Sequence, residues 1–250
     1  MKSEFKGKLL VDPETVPMIG FLEGKFGREF LAEYYRRMSD KYENNENLRV
    51  LNIQDGLVAG SNPFAVVLAN EVLAQENLRT ATQADLEKAL KLRVLELREN
   101  YEDTGLVLRS EENPNSYLAR DLTKQLRARN PEFQYPVLIN LTDLELRVDS
   151  DSNYGLSFRL KEDARSIYAP VLNSPNDSRF NSSDVDESTG LPKIAVLKGN
   201  RTLYTRDSGL SRLYLCRSLN LGSASSLLAD SGSDGRVVVV SDVATQKFSE

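Results

Sequence analysis

The absence of histidine, together with a single cysteine at position 216, is the feature that most limits what this chain can fold into. One cysteine cannot form an intrachain disulfide, and zinc and most iron sites require three or four Cys or His ligands. The fold must therefore be held together by burial of apolar side chains. Apolar residues make up 40 % of the 250 positions, which is enough for a globular core.

The same two counts restrict catalysis. Ser–His–Asp and Cys–His centres require an imidazole. No side chain in the sequence has an ordinary pKa between about 5 and 8, so a general base near neutrality would need a strongly perturbed carboxylate, lysine or thiol. Cys216 ends the apolar run Leu213–Cys216, and we expect a buried, inert thiol there. What remains is the chemistry of Lys, Tyr, Ser and carboxylates, the last with or without Mg²⁺ or Ca²⁺.

Location follows from three further observations. No apolar run approaches the roughly 18–20 residues that span a bilayer, so we expect no membrane partner. The first residues lack the apolar core of a secretory signal. A lone cysteine is consistent with a reducing compartment, and the net charge of −5 favours solubility without general affinity for nucleic acid. We expect a cytoplasmic protein.

Helices dominate the first hundred residues. Segment 28–42 carries aromatic and apolar side chains at the three-to-four spacing of an amphipathic helix, which we start near Lys25 because glycines precede it. Asn62-Pro63 provides a capping side chain and a proline at the first helical position. The pattern at 82–85 predicts the start of a third helix.

The rest of the chain is predicted to be rich in strands. Strands at 104–108 and 135–141, with a helix between Asn113-Pro114 and Asn130-Pro131, are compatible with one crossover unit. Further predictions are hairpins over 144–160 and 194–205 and strands at 213–216 and 237–240. The predicted fold class is α+β: a helical N-terminal part (about 1–100) packed on a mixed β-sheet C-terminal part (about 101–250). The sequence also allows one continuous domain.

A polar turn provides the first candidate metal site. Asp149, Asp151 and Asn153 alternate and are followed by Gly155, and such oxygen side chains can converge on a hard cation such as Ca²⁺. The EF-hand pattern differs, because it has glycine at the sixth position and a glutamate at the twelfth, where this chain has Leu160. The alternative is a metal-free β-turn, which favours the same residue types.

A second candidate metal site precedes that turn. In a strand, Asp143 and Glu145 would point to one face together with Arg147. Paired acids beside a basic residue are typical of Mg²⁺-dependent nucleases, in which the acids hold the ion. The alternative is a solvated strand face with cross-strand ion pairs.

Two groups of basic residues are candidates for binding a polyanion. Arg120, Lys124 and Arg127 fall at i, i+4 and i+7 and would form a stripe on one helix face. Segment 194–236 has six basic and three acidic residues, with tyrosines nearby for base stacking. The candidate phosphate-binding arginines in that segment are Arg201, Arg206, Arg212 and Arg217. A charge run is also the pattern of an ordinary solvated face.

About half of the chain resembles a known group of sequences. The stretch 201–216 (RTLYTRDSGLSRLYLC), with 235–241 (GRVVVVS), is similar to the C-terminal portion of uncharacterised archaeal hypothetical proteins, and 104–141 has a similar look. The resemblance implies an intracellular microbial protein. It implies no particular activity and identifies no functional residue.

Three functions follow from these patterns. The leading hypothesis is a non-enzymatic intracellular binding or interaction protein, for a polyanion such as nucleic acid or for a protein partner, without a cofactor. The competing hypothesis is a carboxylate- and Mg²⁺-dependent phosphodiesterase or phosphotransferase that uses Asp143, Glu145 and the turn acids. The third is a structural subunit whose aromatic helix, 28–42, forms an oligomer interface.

Overall fold

The computed structural model describes residues 5–10 and 18–241. About 30 % of the chain is helix and 28 % is strand, which confirms the predicted α+β class. The α-helices are α1 (Gly24–Tyr42), α2 (Pro63–Leu73), α3 (Gln83–Leu92) and α4 (Ser116–Arg129). The first strands are β1 (Lys8–Leu9), β2 (Met18–Phe21), β3 (Asn52–Gln54), β4 (Leu57–Ala59), β5 (Leu78–Thr80), β6 (Glu102–Leu108), β7 (Val137–Asn140) and β8 (Leu144–Val148). The remaining strands are β9 (Leu156–Leu160), β10 (Ser166–Tyr168), β11 (Ser178–Phe180), β12 (Arg201–Tyr204), β13 (Leu210–Leu215), β14 (Leu221–Gly222) and β15 (Val238–Ser241).

The predicted capping residues start two of the helices. The Asn62 side chain accepts a hydrogen bond from the Ala65 backbone N–H at 2.7 Å, with proline next in the chain. Thr82 and Asp85 form a reciprocal capping box at the start of α3. The helix α4 begins after Asn115 rather than at the predicted Asn113-Pro114, which is a cis peptide.

Two sheets contain most of the strands. The four-stranded sheet has the order β1-β2-β15-β5, and the seven-stranded sheet has the order β10-β7-β6-β13-β14-β12-β11. The seven-stranded sheet is mixed. Strands β12 and β14 pair in parallel, and the other strand pairs of this sheet are antiparallel. The pairs β3–β4 and β8–β9 form separate hairpins, the latter as predicted for 144–160.

Two predicted pairings are wrong. Strands β6 and β7 are antiparallel neighbours, so the segment 104–141 is not a parallel crossover unit. The predicted hairpin over 194–205 does not form, since β12 pairs with β11 and β14 instead. Residues that precede β12 contact β11 instead of forming a hairpin. The Arg179 guanidinium on β11 donates a hydrogen bond to the Gly199 carbonyl at 2.9 Å.

Both halves of the sequence contribute to one core. The C-terminal strand β15 lies between β2 and β5, and the largest apolar cluster contains residues from Leu22 to Val239. The stacked rings of Phe64 and Phe158, 4.7 Å apart, join α2 to β9. A boundary near residue 100 therefore does not separate two cores.

The aromatic face of α1 is part of that core. Phe30 and Tyr34 are fully buried, and the Tyr34 hydroxyl donates to the Leu48 carbonyl at 2.8 Å. Met38 and Tyr42 are also buried. The hypothesis of an oligomer interface on this face is wrong, because its own chain covers it. Within residues 5–10 and 18–241, no helix combines the length and apolarity needed to cross a membrane.

Candidate functional site

Arg212, a predicted phosphate ligand, is part of a buried ion pair. Its Nε donates to Asp103 Oδ1 at 2.6 Å and its Nη2 donates to Asp103 Oδ2. The two side chains are 6 % and 0 % exposed. The guanidinium also lies against the rings of Tyr101 and Tyr214, with distances of 5.4 and 5.2 Å to their centroids. Arg212 therefore cannot bind an external anion.

Strand pairing explains this placement. Asp103 lies opposite Tyr214 in the β6–β13 pair, so Arg212 is its diagonal neighbour across the strands. The Ser61 hydroxyl donates to Asp103 Oδ2 at 2.7 Å, and Arg212 Nη1 donates to the Asp230 carbonyl at 2.8 Å. The pair thus has the additional hydrogen bonds that a buried charge requires.

Two further predicted arginines also bind their own chain. Arg201 makes a two-pronged contact with Glu87, at 2.5 and 2.7 Å, and its guanidinium lies 4.7 Å from the Phe180 ring centroid. Arg206 donates to the backbone carbonyls of Ser208 and Ala224. The prediction of a phosphate-binding C-terminal surface is therefore wrong for Arg201 and Arg212, which are held by buried carboxylates, and for Arg206, which is held by backbone carbonyls.

The other predicted basic residues are at the surface. Arg217 is exposed and lies 3.2 Å from an Asp234 oxygen. Arg120, Lys124 and Arg127 share the exposed face of α4, as their spacing predicted. Arg127 pairs with a glutamate at 2.9 Å. The stripe is an exposed, charged helix face, and its binding of a polyanion stays a prediction.

The acids of the predicted Mg²⁺ site do not converge. Asp143 belongs to a 3₁₀ turn, Leu141–Asp143, so the strand alternation that would align it with Glu145 is broken. Asp149 lies beyond the other end of β8, about 20 Å from Asp143 at 3.3 Å per residue. Among the residues that the structure describes, no group of three or more His, Cys, Asp or Glu could hold a metal ion. The predicted Mg²⁺ site is wrong.

The 149–155 segment is a turn in which the backbone N–H and the carboxylate of Asp149 both form hydrogen bonds within the turn. The Asp149 N–H donates to the Gly155 carbonyl at 3.0 Å, and the Asp151 N–H donates to Asp149 Oδ1 at 3.2 Å. The Tyr117 hydroxyl occupies the same carboxylate at 3.0 Å. Asp151 and Asn153 point into solvent as exposed residues. The segment forms the plain β-turn of the alternative interpretation, in which Asp149 is bonded to its own chain.

A cleft of about 410 Å³ lies between α3 and the loop 181–191. Its walls contain charged, hydroxyl and apolar side chains. They are Ala84, Glu87, Lys88, Lys91, Leu92, Ser182, Ser183, Val185 and Glu187.

Three contacts position the cleft. The buried Glu87–Arg201 pair joins α3 to β12, with both side chains at most 10 % exposed. Gly190 has φ +70°, and a Cβ there would lie 2.4 Å from the Gln83 backbone, so the loop approaches α3 closely only with glycine. At the mouth, Lys91 Nζ lies 2.5 Å from Glu187 Oε1.

Charge is unevenly balanced along the cleft. The Glu87 carboxylate is neutralised by Arg201. The hydrogen bond from Lys91, together with the charges of Lys91, Lys88 and Lys193, lowers the pKa of Glu187. In the described part of the chain, Lys88 itself forms no ion pair. The cleft therefore offers the exposed ammonium of Lys88, whose charge acts on Glu187 without a direct ion pair, beside hydroxyl groups and the apolar side chains of Leu92 and Val185.

Cys216, the only thiol, is half-buried. Burial raises its pKa to about 11, so little thiolate exists near neutral pH. This agrees with the inert thiol expected from the sequence.

A buried carboxyl group lies outside the cleft. Glu102, at one end of β6, is 3 % exposed. Burial raises the pKa of Glu102 well above its ordinary value of 4.5; the neighbouring Arg236 opposes this shift and Asp103 adds to it. Between the pKa of the unfolded chain and the higher pKa of the folded protein, the folded protein therefore holds a proton at this position that the unfolded chain releases.

Replacement of Glu102 by Gln is expected to stabilise the protein at alkaline pH. Because the pKa is raised on folding, the stability contributed by Glu102 is complete below the unfolded pKa and is lost as pH rises through the folded pKa. Glutamine does not titrate, so E102Q and wild type should have similar urea stabilities at pH 4. At pH 8 the variant should be more stable, by about 1.4 kcal/mol for each unit by which the folded pKa, or pH 8 if that is lower, exceeds the unfolded pKa. Parallel pH profiles of the two proteins would contradict this, and E112Q, at an exposed position, is the control.

Comparison of the chain with protein-family models, curated proteins and solved structures finds no match. The function is therefore argued from the geometry of the cleft.

Proposed function

We propose that this protein is a non-enzymatic binding protein whose ligand carries an anionic group and occupies the cleft between α3 and the loop 181–191. The observation that supports this is Lys88, an exposed cation that forms no direct ion pair in the described part of the chain, on the wall of a cleft of about 410 Å³. Ligand sites commonly have volumes of roughly 300–1,000 Å³ and combine apolar walls with a few polar groups.

Phosphate and carboxylate are the groups that this lining suits best. An ammonium forms charge-assisted hydrogen bonds with either anion, and a serine hydroxyl such as that of Ser183 can donate to the same oxygens. Leu92 and Val185 provide a surface for an apolar part of the ligand. The proposed ligand is therefore a small amphipathic anion, or an anionic group at the end of a larger molecule.

The ion pair at the mouth suits ligand exchange. Lys91 and Glu187 are 69 % and 82 % exposed, and an exposed ion pair contributes little to stability. A ligand anion can therefore replace the Glu187 carboxylate at Lys91 without loss of a strong interaction. In this proposal Glu187 competes with the ligand.

Binding is favoured over catalysis because the carboxylates near the cleft have other partners. Glu87 accepts hydrogen bonds from both terminal nitrogens of Arg201 and from the Gln83 amide, so its oxygens are already bonded within the chain. The acids of the phosphodiesterase hypothesis lie elsewhere and do not converge. A cytoplasmic location is part of the proposal, supported by the single cysteine and the absence of histidine and cysteine clusters in the sequence.

Substitution of Lys88 by Gln is expected to weaken anion binding about tenfold, since one charge-assisted hydrogen bond is lost. Isothermal titration calorimetry with inorganic phosphate, pyrophosphate, adenosine monophosphate and a short dicarboxylate measures this. E187Q should have the opposite effect, because it removes the competing carboxylate. K124Q, at an exposed lysine on α4, is the matched control and should bind as wild type does.

Nucleic acid provides the contrasting arm of the experiment. If a single-stranded oligonucleotide binds and K124Q weakens it while K88Q does not, the stripe on α4 is the binding surface and the cleft proposal fails. Absence of saturable binding by every anionic probe would also contradict the proposal.

A further inference from the structure

Three buried polar atoms near the junction of the two sheets have no hydrogen-bond partner in the described residues. They are both carboxyl oxygens of Glu102 and the Nε of Arg236. Glu102 is on β6 of the seven-stranded sheet, and Arg236 precedes β15 of the four-stranded sheet. The two residues are 3 % and 9 % exposed, so bulk water does not supply the missing partners. Buried polar groups without partners are uncommon in folded proteins and call for an explanation.

A small cavity lies beside these atoms. Its volume is about 10 Å³, and Glu102 and Arg236 both line it, together with Thr80 and three valines. One water molecule requires roughly 10–15 Å³ of probe-occupied volume and two to four polar partners. The cavity and the unpartnered atoms beside it match both requirements.

Neighbouring side chains are already committed. The Arg236 Nη1 donates to the carbonyls of Ser233 and Gly235, at 2.8 and 2.7 Å, which fixes the guanidinium. Asp103 is bonded to Ser61 and Arg212. The Thr80 hydroxyl is bonded to the Asn70 side chain. None of these groups can turn to Glu102 without losing its own hydrogen bond.

We infer that this cavity is a binding site for a single ordered water molecule that bridges the Glu102 carboxyl group and the Arg236 guanidinium. Water suits the site because it can accept a hydrogen bond from Arg236 Nε–H while it donates to the Glu102 oxygens. If Glu102 carries a proton, the same water accepts a hydrogen bond from the protonated carboxyl oxygen and can donate one to the other carboxyl oxygen.

A metal cation suits the site less well. Hard cations such as Mg²⁺ and Ca²⁺ require six or more oxygen ligands, and an arginine N–H is a donor that cannot ligate them. The positive charge of Arg236 opposes a second cation in the same small cavity. The inference is independent of the proposed function, because the cavity lies outside the cleft.

A crystal structure of the wild-type protein at about 1.5 Å resolution tests the inference directly. We expect one density peak within about 2.6–3.2 Å of a Glu102 oxygen and of Arg236 Nε. A direct Glu102–Arg236 hydrogen bond with no peak between them would overturn the inference. So would a peak surrounded by five or more oxygens at cation distances.

Oxygen-17 relaxation dispersion provides a solution test, since it counts water molecules with long residence times. E102M removes both acceptors and should lower the count by one relative to wild type, whereas E102Q retains polar atoms and should leave it unchanged. The exposed-site variant E112M controls for surface effects. If E102M does not fold, the wild-type crystal structure still decides the question. An unchanged count in folded E102M would overturn the inference.

Discussion

Replacement of Asp103 by Asn is expected to lower the free energy of unfolding by about 3–5 kcal/mol, because it leaves the Arg212 guanidinium buried without a counter-charge. Asp103 is 0 % exposed and accepts hydrogen bonds from both Arg212 and Ser61. Chemical denaturation monitored by circular dichroism measures the change. An effect of this size would identify Arg212 as a structural residue rather than a ligand of external phosphate.

The exposed pair of Arg217 and Asp234 provides the matched control. D234N removes the same type of contact at the surface and should change stability by less than about 1 kcal/mol. The double variant D103N/R212M should be less destabilised than D103N, because it no longer contains the unpaired buried cation. Equal effects of D103N and D234N would contradict the account of the inward-facing arginines.

Replacement of Phe64 by Ala is expected to destabilise the protein by about 3–5 kcal/mol, since it leaves a cavity where three rings meet. Phe64 is fully buried, and its ring lies 4.7 Å from that of Phe158 and 5.0 Å from that of Tyr154. The contact joins α2 to the β8–β9 hairpin. The same denaturation experiment measures the loss.

An aromatic residue at the surface controls for side-chain size. Tyr168, on the edge strand β10, is 54 % exposed, and Y168A should have a much smaller effect than F64A. If F64A unfolded at the wild-type denaturant concentration, α2 would not pack on the hairpin as described. The larger effect is expected because a buried ring loses both its transfer free energy and its packing contacts.

Local chemistry in the sequence predicts much of the secondary structure. The Asn62-Pro63 start of α2 and the capping box of α3 depend on residues within one helical turn, so both are readable from the sequence. The fold class and the 144–160 hairpin follow from similar short-range patterns. The end of α3 at Leu92 could not be predicted in this way, because Arg93 adopts a left-handed conformation that the spacing of apolar residues does not reveal.

Pairings between distant segments could not be predicted in the same way. The β6–β13 pair joins residues more than 100 positions apart, and the sequence gives no register for it. The basic pattern of 194–236 was correctly read as rich in arginine, yet the acids that neutralise Arg201 and Arg212 lie 114 and 109 positions away. A charge pattern alone does not distinguish an inward-facing guanidinium from an outward-facing one.

The cleft could not be predicted from the sequence for the same reason, because segments that are distant in the chain form it. Lys88 and Lys91 lie on an amphipathic helix, and residues 173–190 have the Asn-, Ser- and Asp-rich composition that is typical of a surface loop. Gly190 within that loop was a signal, because glycine is required where the backbone passes close to another segment. The identity of that segment, α3, depends on tertiary structure.

The most direct test of the account is a two-dimensional nitrogen–proton NMR titration of the wild-type protein with the tightest anionic probe from calorimetry. We predict shift changes concentrated in α3 and the loop 181–191, with the largest near Lys88, and a spectrum of K88Q that barely responds. Changes concentrated on α4 around Lys124, or spread evenly over all exposed lysines, would contradict the assignment of the cleft as the binding site.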